Sequence, residues 1–360
     1  MRLDRLVARG FRNLADMEWE VPAAGVALLG PNGQGKTNLL EAIYYPVLFR
    51  SVRGAGDTEL VRFGGPGFQV EATCSDGAAE HTVAATYLCG GRRKRIAIDG
   101  AEPERLADAA GLWLAVAFLP SDVSLAGGPA ADRRLYLDRM LSLADRRYMT
   151  ALGRYRAALA QRNSALRQAR PDLAAAFDGP LAAAGAVVVG ARLAWIAGAE
   201  PSFAEAFAEL GDGDGAGLRY VGREDLSDPR AWPEALATAR ARDAARGSTT
   251  IGPHRDDVAL LLGDRPVRAF GSTGQQRSAA IALKLIELTT LRDARGAEPA
   301  LLLDDVFAEL DRERQRRLAA RLFSEGRQVF LTAPRHDELP PDLSLPVRRV
   351  AGGLLESEAA

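Results

Sequence analysis

Gly30-Pro31-Asn32-Gly33-Gln34-Gly35-Lys36-Thr37 has the residue types and spacing to hold a chain of phosphates. It fits G-x-x-x-x-G-K-[ST], between a strand-like run, Val26–Leu29, and a helix-like run, Asn38–Tyr45. Glycines let backbone N–H groups turn onto phosphate oxygens, and the helix start adds the positive end of its dipole. Lys36 is then expected to reach the outer phosphates and Thr37 to ligate magnesium. Such a loop needs an acid to place the metal, and Ala300-Leu301-Leu302-Leu303-Asp304-Asp305 is an apolar strand ending in two carboxylates. Asp304 is the expected metal ligand, and Asp305 stands where a carboxylate orients or activates the attacking water. A third feature, Ser272-Thr273-Gly274-Gln275-Gln276, opens the predicted helix Arg277–Leu291. Ser and Gly at a helix N-terminus make a second phosphate-facing position, although the same residues also read as an ordinary N-cap.

These motifs need strands to carry them. Leu3–Phe11, Ala15–Val21 and Val26–Leu29 are short, apolar-rich and bounded by Gly or Pro, and Phe68–Cys74 with His81–Leu88 alternate around the hairpin signal Asp76-Gly77. From about 130 to 246 the texture becomes Ala/Arg-rich. Leu141, Tyr148, Leu152, Tyr155, Leu159 and Leu166 form a helix seam ended by Pro171, a second helix spans roughly 179–199, and Pro229–Arg246 is a third. After Gly252 the α/β texture returns, with strands at Val258–Leu262, Pro266–Phe270, Ala300–Leu303 and Gln328–Thr332 and helices at 274–294 and 311–325. The fold class is therefore α/β, one nucleotide-binding head formed by both chain ends (1–128 and 247–360) with an inserted helical arm (129–246).

Composition narrows the partners. The 360 residues carry a net charge of -1, so a nucleic acid would be held by a local patch rather than a global field. All but three of the 46 basic residues are arginine, and Lys36 is one of the exceptions. Two cysteines and three histidines offer neither a disulfide framework nor zinc-ligand spacing, and Met1–Gly10 lacks the apolar stretch of an export signal. A cytoplasmic setting is the expectation. Leu181–Ala199 is apolar except for Arg192, and its Ala/Gly content reads as a packed helix, with no membrane partner expected.

On these motifs the chain resembles the RecF family of bacterial repair ATPases, related to SMC and Rad50 proteins. The resemblance rests on Leu6–Leu14 (LVARGFRNL), Gly30–Tyr45 (GPNGQGKTNLLEAIYY), Phe118–Asp122, Gly252–Asp257 (GPHRDD), Gly271–Gln276 and Leu301–Asp311 (LLLDDVFAELD). It implies an ABC-type ATPase head with a helical arm that dimerises around two ATP molecules with Mg2+. It also implies binding to gapped DNA at single-strand/double-strand junctions, with RecR and RecO as partners that place RecA, and slow, DNA-stimulated hydrolysis that resets the dimer. By position it implies nucleotide contacts for Arg12 and Asn13, for the loop Asn32, Gly33, Gln34, Gly35, Lys36, Thr37 and Asn38 after Gly30, and for Ser272, Gly274 and Gln275 of the signature. Thr332 matches the switch position, Asp304 and Asp305 the magnesium and catalytic carboxylates, Glu309–Asp311 a loop crossing the dimer interface, and Arg50 and Arg53 an arginine loop.

Three departures stand out. Asp305 replaces the usual Glu, which suggests slow turnover, Pro46 is expected to interrupt the helix after the P-loop, and the Q-loop counterpart falls near Phe118–Asp122. Arg92-Arg93-Lys94-Arg95 is either a DNA-contacting hairpin tip or a solvated turn. His254 and Arg255 are expected to brace the arm root. Other readings are an SMC-like head serving a different repair partner, a transporter motor and a non-hydrolysing ATP-binding scaffold; neither the long inserted segment nor GPHRDD is needed by the transporter.

Overall fold

The first strands are β1 (Arg2–Arg9), β2 (Met17–Glu20) and β3 (Gly25–Leu29), followed by the P-loop helix Lys36–Leu48. Then come β4 (Gly67–Ser75), β5 (Glu80–Leu88), β6 (Arg93–Ile98) and β7 (Ala115–Phe118). After the helical segment and β8 (Ala216–Val221), the strands β9 (Asp257–Leu262) and β10 (Arg265–Pro266) precede the signature helix Thr273–Arg295. The chain finishes with β11 (Ala300–Asp304), β12 (Val329–Ala333), β13 (Val347–Ala351) and β14 (Leu354–Leu355). The computed structural model describes residues 1–356 apart from Arg92, Asp212, Asp214, Ala308, Glu309, Ser324, Glu325, Pro341 and Asp342.

Packing divides the chain into two units, Met1–Asp122 with Glu287–Ala360, and Val123–Ile286. This division places 247–286, which the sequence reading groups with the head, in the second unit. The first unit holds two sheets. One is antiparallel, in the order β2-β1-β4-β5-β6, and β4 alternates buried and half-buried residues as a strand with one covered face should. The other runs β14-β13-β3-β12-β11-β7, with parallel pairing from β13 to β7. Its strands β7, β11 and β12 are buried at every position, as parallel strands covered on both faces must be. Register sets Asp304 beside Thr332 and Thr332 beside Leu28, so the carboxyl ends of β11, β12 and β3 share one edge, where ligands of open α/β sheets bind.

The second unit is built on the arm helices Ala130–Ala144, Arg146–Arg167 and Asp178–Glu209 with Trp232–Arg246, beside the three-stranded sheet β10-β9-β8. The predicted seam is two helices, because Asp145 leaves helical geometry (φ -136°) and caps the second by accepting from the Arg147 N–H at 2.7 Å. Gly185 lets the long arm helix approach Trp232, whose ring lies 2.4 Å from where a Cβ would stand. Arginines hold this unit together from inside. Arg192, 3% exposed, donates to Asp138 (2.7 Å), the Pro253 carbonyl (2.7 Å) and the Tyr148 hydroxyl (3.2 Å). Arg162, 4% exposed, donates to Asp178, Asp243 and Thr249 at 2.7–2.8 Å. Asp178–Glu209 is long and apolar enough to cross a membrane by composition, yet its Arg192 is committed to these protein partners.

Several elements differ from the sequence reading. The P-loop helix runs through Pro46 to Leu48, since a proline costs one hydrogen bond and a covered helix face can compensate. Pro266–Phe270 is strand only at its first residue and then a helical turn, Val267–Phe270. Strands β8, β13 and β14 were not foreseen, and the long arm helix ends at Glu209.

Candidate nucleotide site

The loop between β3 and its helix has the backbone that phosphate binding requires. Gly30, Gly33 and Gly35 all have positive φ (155°, 81° and 108°), a region unfavourable to other residues. No side chain caps the helix at Gly35, so no side-chain cap occupies the first N–H groups of the helix. Lys36 is 5% exposed, and its Nζ donates to the carbonyls of Gly30 (2.6 Å) and Pro31 (3.2 Å). Asn32 and Gly33 are exposed at the loop tip.

Opposite the loop, Asp304 ends β11. Thr37 Oγ1 lies 3.0 and 2.9 Å from its two carboxylate oxygens, and Thr332 Oγ1 donates to Asp304 Oδ1 at 2.8 Å. Burial pushes the Asp304 carboxyl above its ordinary range, the hydrogen bonds from Thr332 and Thr37 oppose that shift, and the neighbouring Asp305 charge reinforces it. Asp305 adopts a left-handed backbone (φ 49°) although it is not glycine, a strained geometry of the kind concentrated at functional sites. Its N–H donates to Thr332 Oγ1 at 3.0 Å, and its own Oδ1 stands 3.2 Å from that hydroxyl. Thr332 thus ties both carboxylates to the end of β12. A hydroxyl and a carboxylate side by side are the hard oxygen donors that Mg2+ takes, alongside water and phosphate oxygens. The set fits ATP with Mg2+: Lys36 and the loop amides for phosphate, Thr37 and Asp304 for the metal.

The N-terminal segment flanks the same loop. Asn13 Oδ1 accepts from Asn38 Nδ2 at 2.8 Å and lies 3.1 Å from where a Cβ on Gly35 would stand. Arg12 is in the left-handed region (φ 50°), and its guanidinium pairs with Glu41 at 2.9 and 3.3 Å. Arg53 joins this group through Asn38 Oδ1 at 3.2 Å and Glu41 at 3.7 Å, whereas Arg50 is simply exposed. Glu41, 0% exposed, was not singled out in the sequence, although a carboxylate within an apolar helical run is itself a signal.

A second unforeseen support comes from the β13–β14 turn. Gln34 accepts from the Gly352 N–H through its side chain (2.7 Å) and from the Gly353 N–H through its carbonyl (2.9 Å). Gly353 also accepts from the Ala15 N–H at 2.9 Å, and a Cβ on it would stand 2.0 Å from the Asn13 carbonyl oxygen. The consecutive glycines between two apolar runs were the available hairpin signal. The Gln34 side chain is therefore occupied in holding the loop.

The remaining positions lie elsewhere. Ser272, Gly274 and Gln275 belong to the helical unit, where Gln275 N–H donates to Ser272 Oγ (3.2 Å) and Ser272 N–H to Gln275 Oε1 (2.9 Å). That reciprocal pair is a capping box at the signature helix. Asp311 caps Arg312–Leu322 by accepting from the N–H groups of Glu313 (3.1 Å) and Arg314 (2.9 Å), and Glu309 lies outside the described residues. In the basic run, Lys94 turns inward onto Asp57 (2.9 Å) and the Phe49 carbonyl, Arg93 and Arg95 are exposed, and Arg92 lies outside the described residues.

Comparison with known proteins extends the pattern over the whole length. Residues 2–340 match the family described as RecF/RecN/SMC N terminal domain. The DNA replication and repair protein RecF of Anaeromyxobacter sp. (strain Fw109-5) is 39% identical over 346 residues, 92% of each chain. Its counterpart in Arthrobacter sp. (strain FB24) is 34% identical and covers 100% of both chains. A solved structure of the recombination mediator protein RecF with ATP, in the RecFOR pathway, superposes with a TM-score of 0.91 at 30% identity over 99% of this chain and 98% of that one. An SMC head bound to the C-winged helix domain of ScpA shares the fold at 15% identity, TM-score 0.55, over 99% and 96% of the two chains.

Proposed function

The chain belongs to the RecF family, SMC-type ATPases of DNA replication and repair, and from that premise we propose that it is an ATP-gated DNA-binding protein of recombinational repair. The observation that carries the reading is Thr37 Oγ1 set against both oxygens of Asp304, with Lys36 beside it at the start of the P-loop helix. Lys36 and the loop amides would hold the phosphates, Thr37 and Asp304 would hold Mg2+, and Asp305 would orient the attacking water. Mg2+ held there would supply positive charge that offsets the charge developing on the phosphate oxygens. Thr332, bonded to both carboxylates, fixes their relative position and so couples metal placement to water placement. The backbone of Gly30 to Asn38 and the flanking Asn13 line the phosphate side, and Arg12 acts from its Glu41 pair.

In this reading nucleotide closes two copies around two ATP molecules, Ser272, Gly274 and Gln275 of each facing the γ-phosphate held by the other. The closed dimer grips DNA at single-strand/double-strand gaps, works with RecO and RecR to place RecA, and reopens after slow, DNA-stimulated hydrolysis in the cytoplasm. The domain division into a head (1–128, 247–360) and an arm (129–246) belongs to the same proposal. Support comes from the solved relative described with ATP in the RecFOR pathway.

Fluorescence anisotropy on a gapped duplex with ATP, ADP or no nucleotide tests the gating. ATP is expected to tighten binding about tenfold, roughly 1.4 kcal/mol, and Lys36→Met to remove that gain. Equal affinity in all three states, with ATP binding intact, rejects gating and leaves a scaffold.

A further inference from the structure

The helical unit holds a half-open cavity of about 310 Å3 between the three arm helices and the loop at Pro253–His254, close to the lower size limit of small-ligand pockets. Its lining mixes apolar residues such as Leu135 and Val188 with the cations Arg134, Arg156 and Arg192. Arg156 and Arg192 share a single carboxylate, Asp138, at 2.8 and 2.7 Å. Arg134 donates to the backbone carbonyl of Asp256 (2.8 Å), and among the described residues no carboxylate lies within ion-pair distance of it. The Asp256 carboxylate accepts the Tyr220 hydroxyl and stands 4.0 Å from Arg192. His254 adds no charge at neutral pH: its ring nitrogens meet the Tyr155 hydroxyl (2.5 Å) and the Thr249 carbonyl (2.9 Å), and burial pushes it down to about 4. Three arginines therefore line a cavity with one carboxylate among its lining residues; Arg192 is fully engaged, whereas Arg134 and Arg156 each spend a single guanidinium nitrogen on the protein.

We propose that this cavity is a second phosphate site, built by Arg134 and Arg156 beside the fixed Arg192–Asp138 pair, that takes a phosphate group. Guanidinium forks match the oxygens of phosphate, and Arg134 and Arg156, with one guanidinium nitrogen each bonded to the protein, keep donors for an incoming anion. The apolar lining residues suit the sugar or base edge of a nucleotide bearing that phosphate. Free phosphate or pyrophosphate carries the same chemistry, so the experiment separates the two sources.

Calorimetric titration of the Lys36→Met protein with pyrophosphate at constant ionic strength weakens the P-loop's share, and the part that depends on Arg134 reads this site. Binding is expected, and adding Arg134→Gln is expected to weaken it by about tenfold or more, the loss of a charge-assisted hydrogen bond. Arg156→Gln, on an exposed guanidinium, provides an independent variant with the same expectation, and circular dichroism confirms that each is folded. Anisotropy with oligonucleotides bearing a 5′-phosphate or a 5′-hydroxyl then assigns the source. A several-fold 5′-phosphate preference that Arg134→Gln removes identifies a nucleic-acid end, and pyrophosphate binding without that preference identifies a free anion. Absence of Arg134-dependent anion binding, or equal binding of citrate, overturns the proposal. None of these readouts depends on ATP gating.

Discussion

The nucleotide site and the interior of the helical unit use the same charged residue types to opposite ends. Around Arg192 and Arg162 each buried cation is met by carboxylates, hydroxyls and carbonyls of its own unit. At the P-loop, two carboxylates sit next to each other, one buried with its carboxyl raised, and Asp305 holds a strained backbone. The first arrangement satisfies charge within the fold. The second keeps charge in reserve for a ligand and leaves the fold less stable there, as functional sites commonly do.

The sharpest way to break this contrast is Arg192→Met. Removing one partner of a buried pair costs about 3–5 kcal/mol, so the melting temperature should collapse while any folded fraction still binds ATP. Asp305→Asn should do the reverse, lowering turnover by about 10²–10³ with little change in melting, since removing an electrostatic group aimed at the reaction has that scale. If Asp305→Asn hydrolyses ATP like the parent, the assignment of water placement fails. Gly353→Ala is intermediate. A side chain at φ +80° costs roughly 1–2 kcal/mol, and its Cβ presses on Asn13, so ATP affinity should fall further than global stability. A thermal melt beside an ATP titration separates the two effects.

Two smaller effects have opposite signs. Asp304→Asn should raise the melting temperature of nucleotide-free protein, because a carboxyl raised by burial binds its proton more tightly folded than unfolded, and its charge therefore opposes folding at neutral pH. His254 shows the converse. Its folded value is about 4 against 6.5 unfolded, so its contribution is present above pH 6.5 and is lost as pH falls towards 4. A pH series of melts should show an acid limb in that window that His254→Gln flattens.

The P-loop, the apolar strand into Asp304 and the signature were legible because each is local. A few consecutive residues define a turn, a strand end or a cap, and their chemistry follows from type and spacing. What escaped depends on partners distant in sequence. Nothing near Gln34 in the sequence announces its bond to Gly352, and Arg192 reads as an oddity in an apolar helix until Asp138 and Pro253 surround it. Strands β8 and β13 were missed for the same reason, since pairing with β9 and β3 makes them strands. Pro46 misled because local propensity was given more weight than the buried faces around it.

The hydrogen bond from Gly352 to Gln34 joins positions 318 apart in the chain. At about 5–20 residues per second, a ribosome needs roughly 15–60 s to deliver the second partner after the first. Throughout that interval the nascent P-loop exists without the turn that shores it up. Tight nucleotide capture is thereby deferred until β13 and β14 have emerged, and translation that stalls before them leaves the loop unsupported.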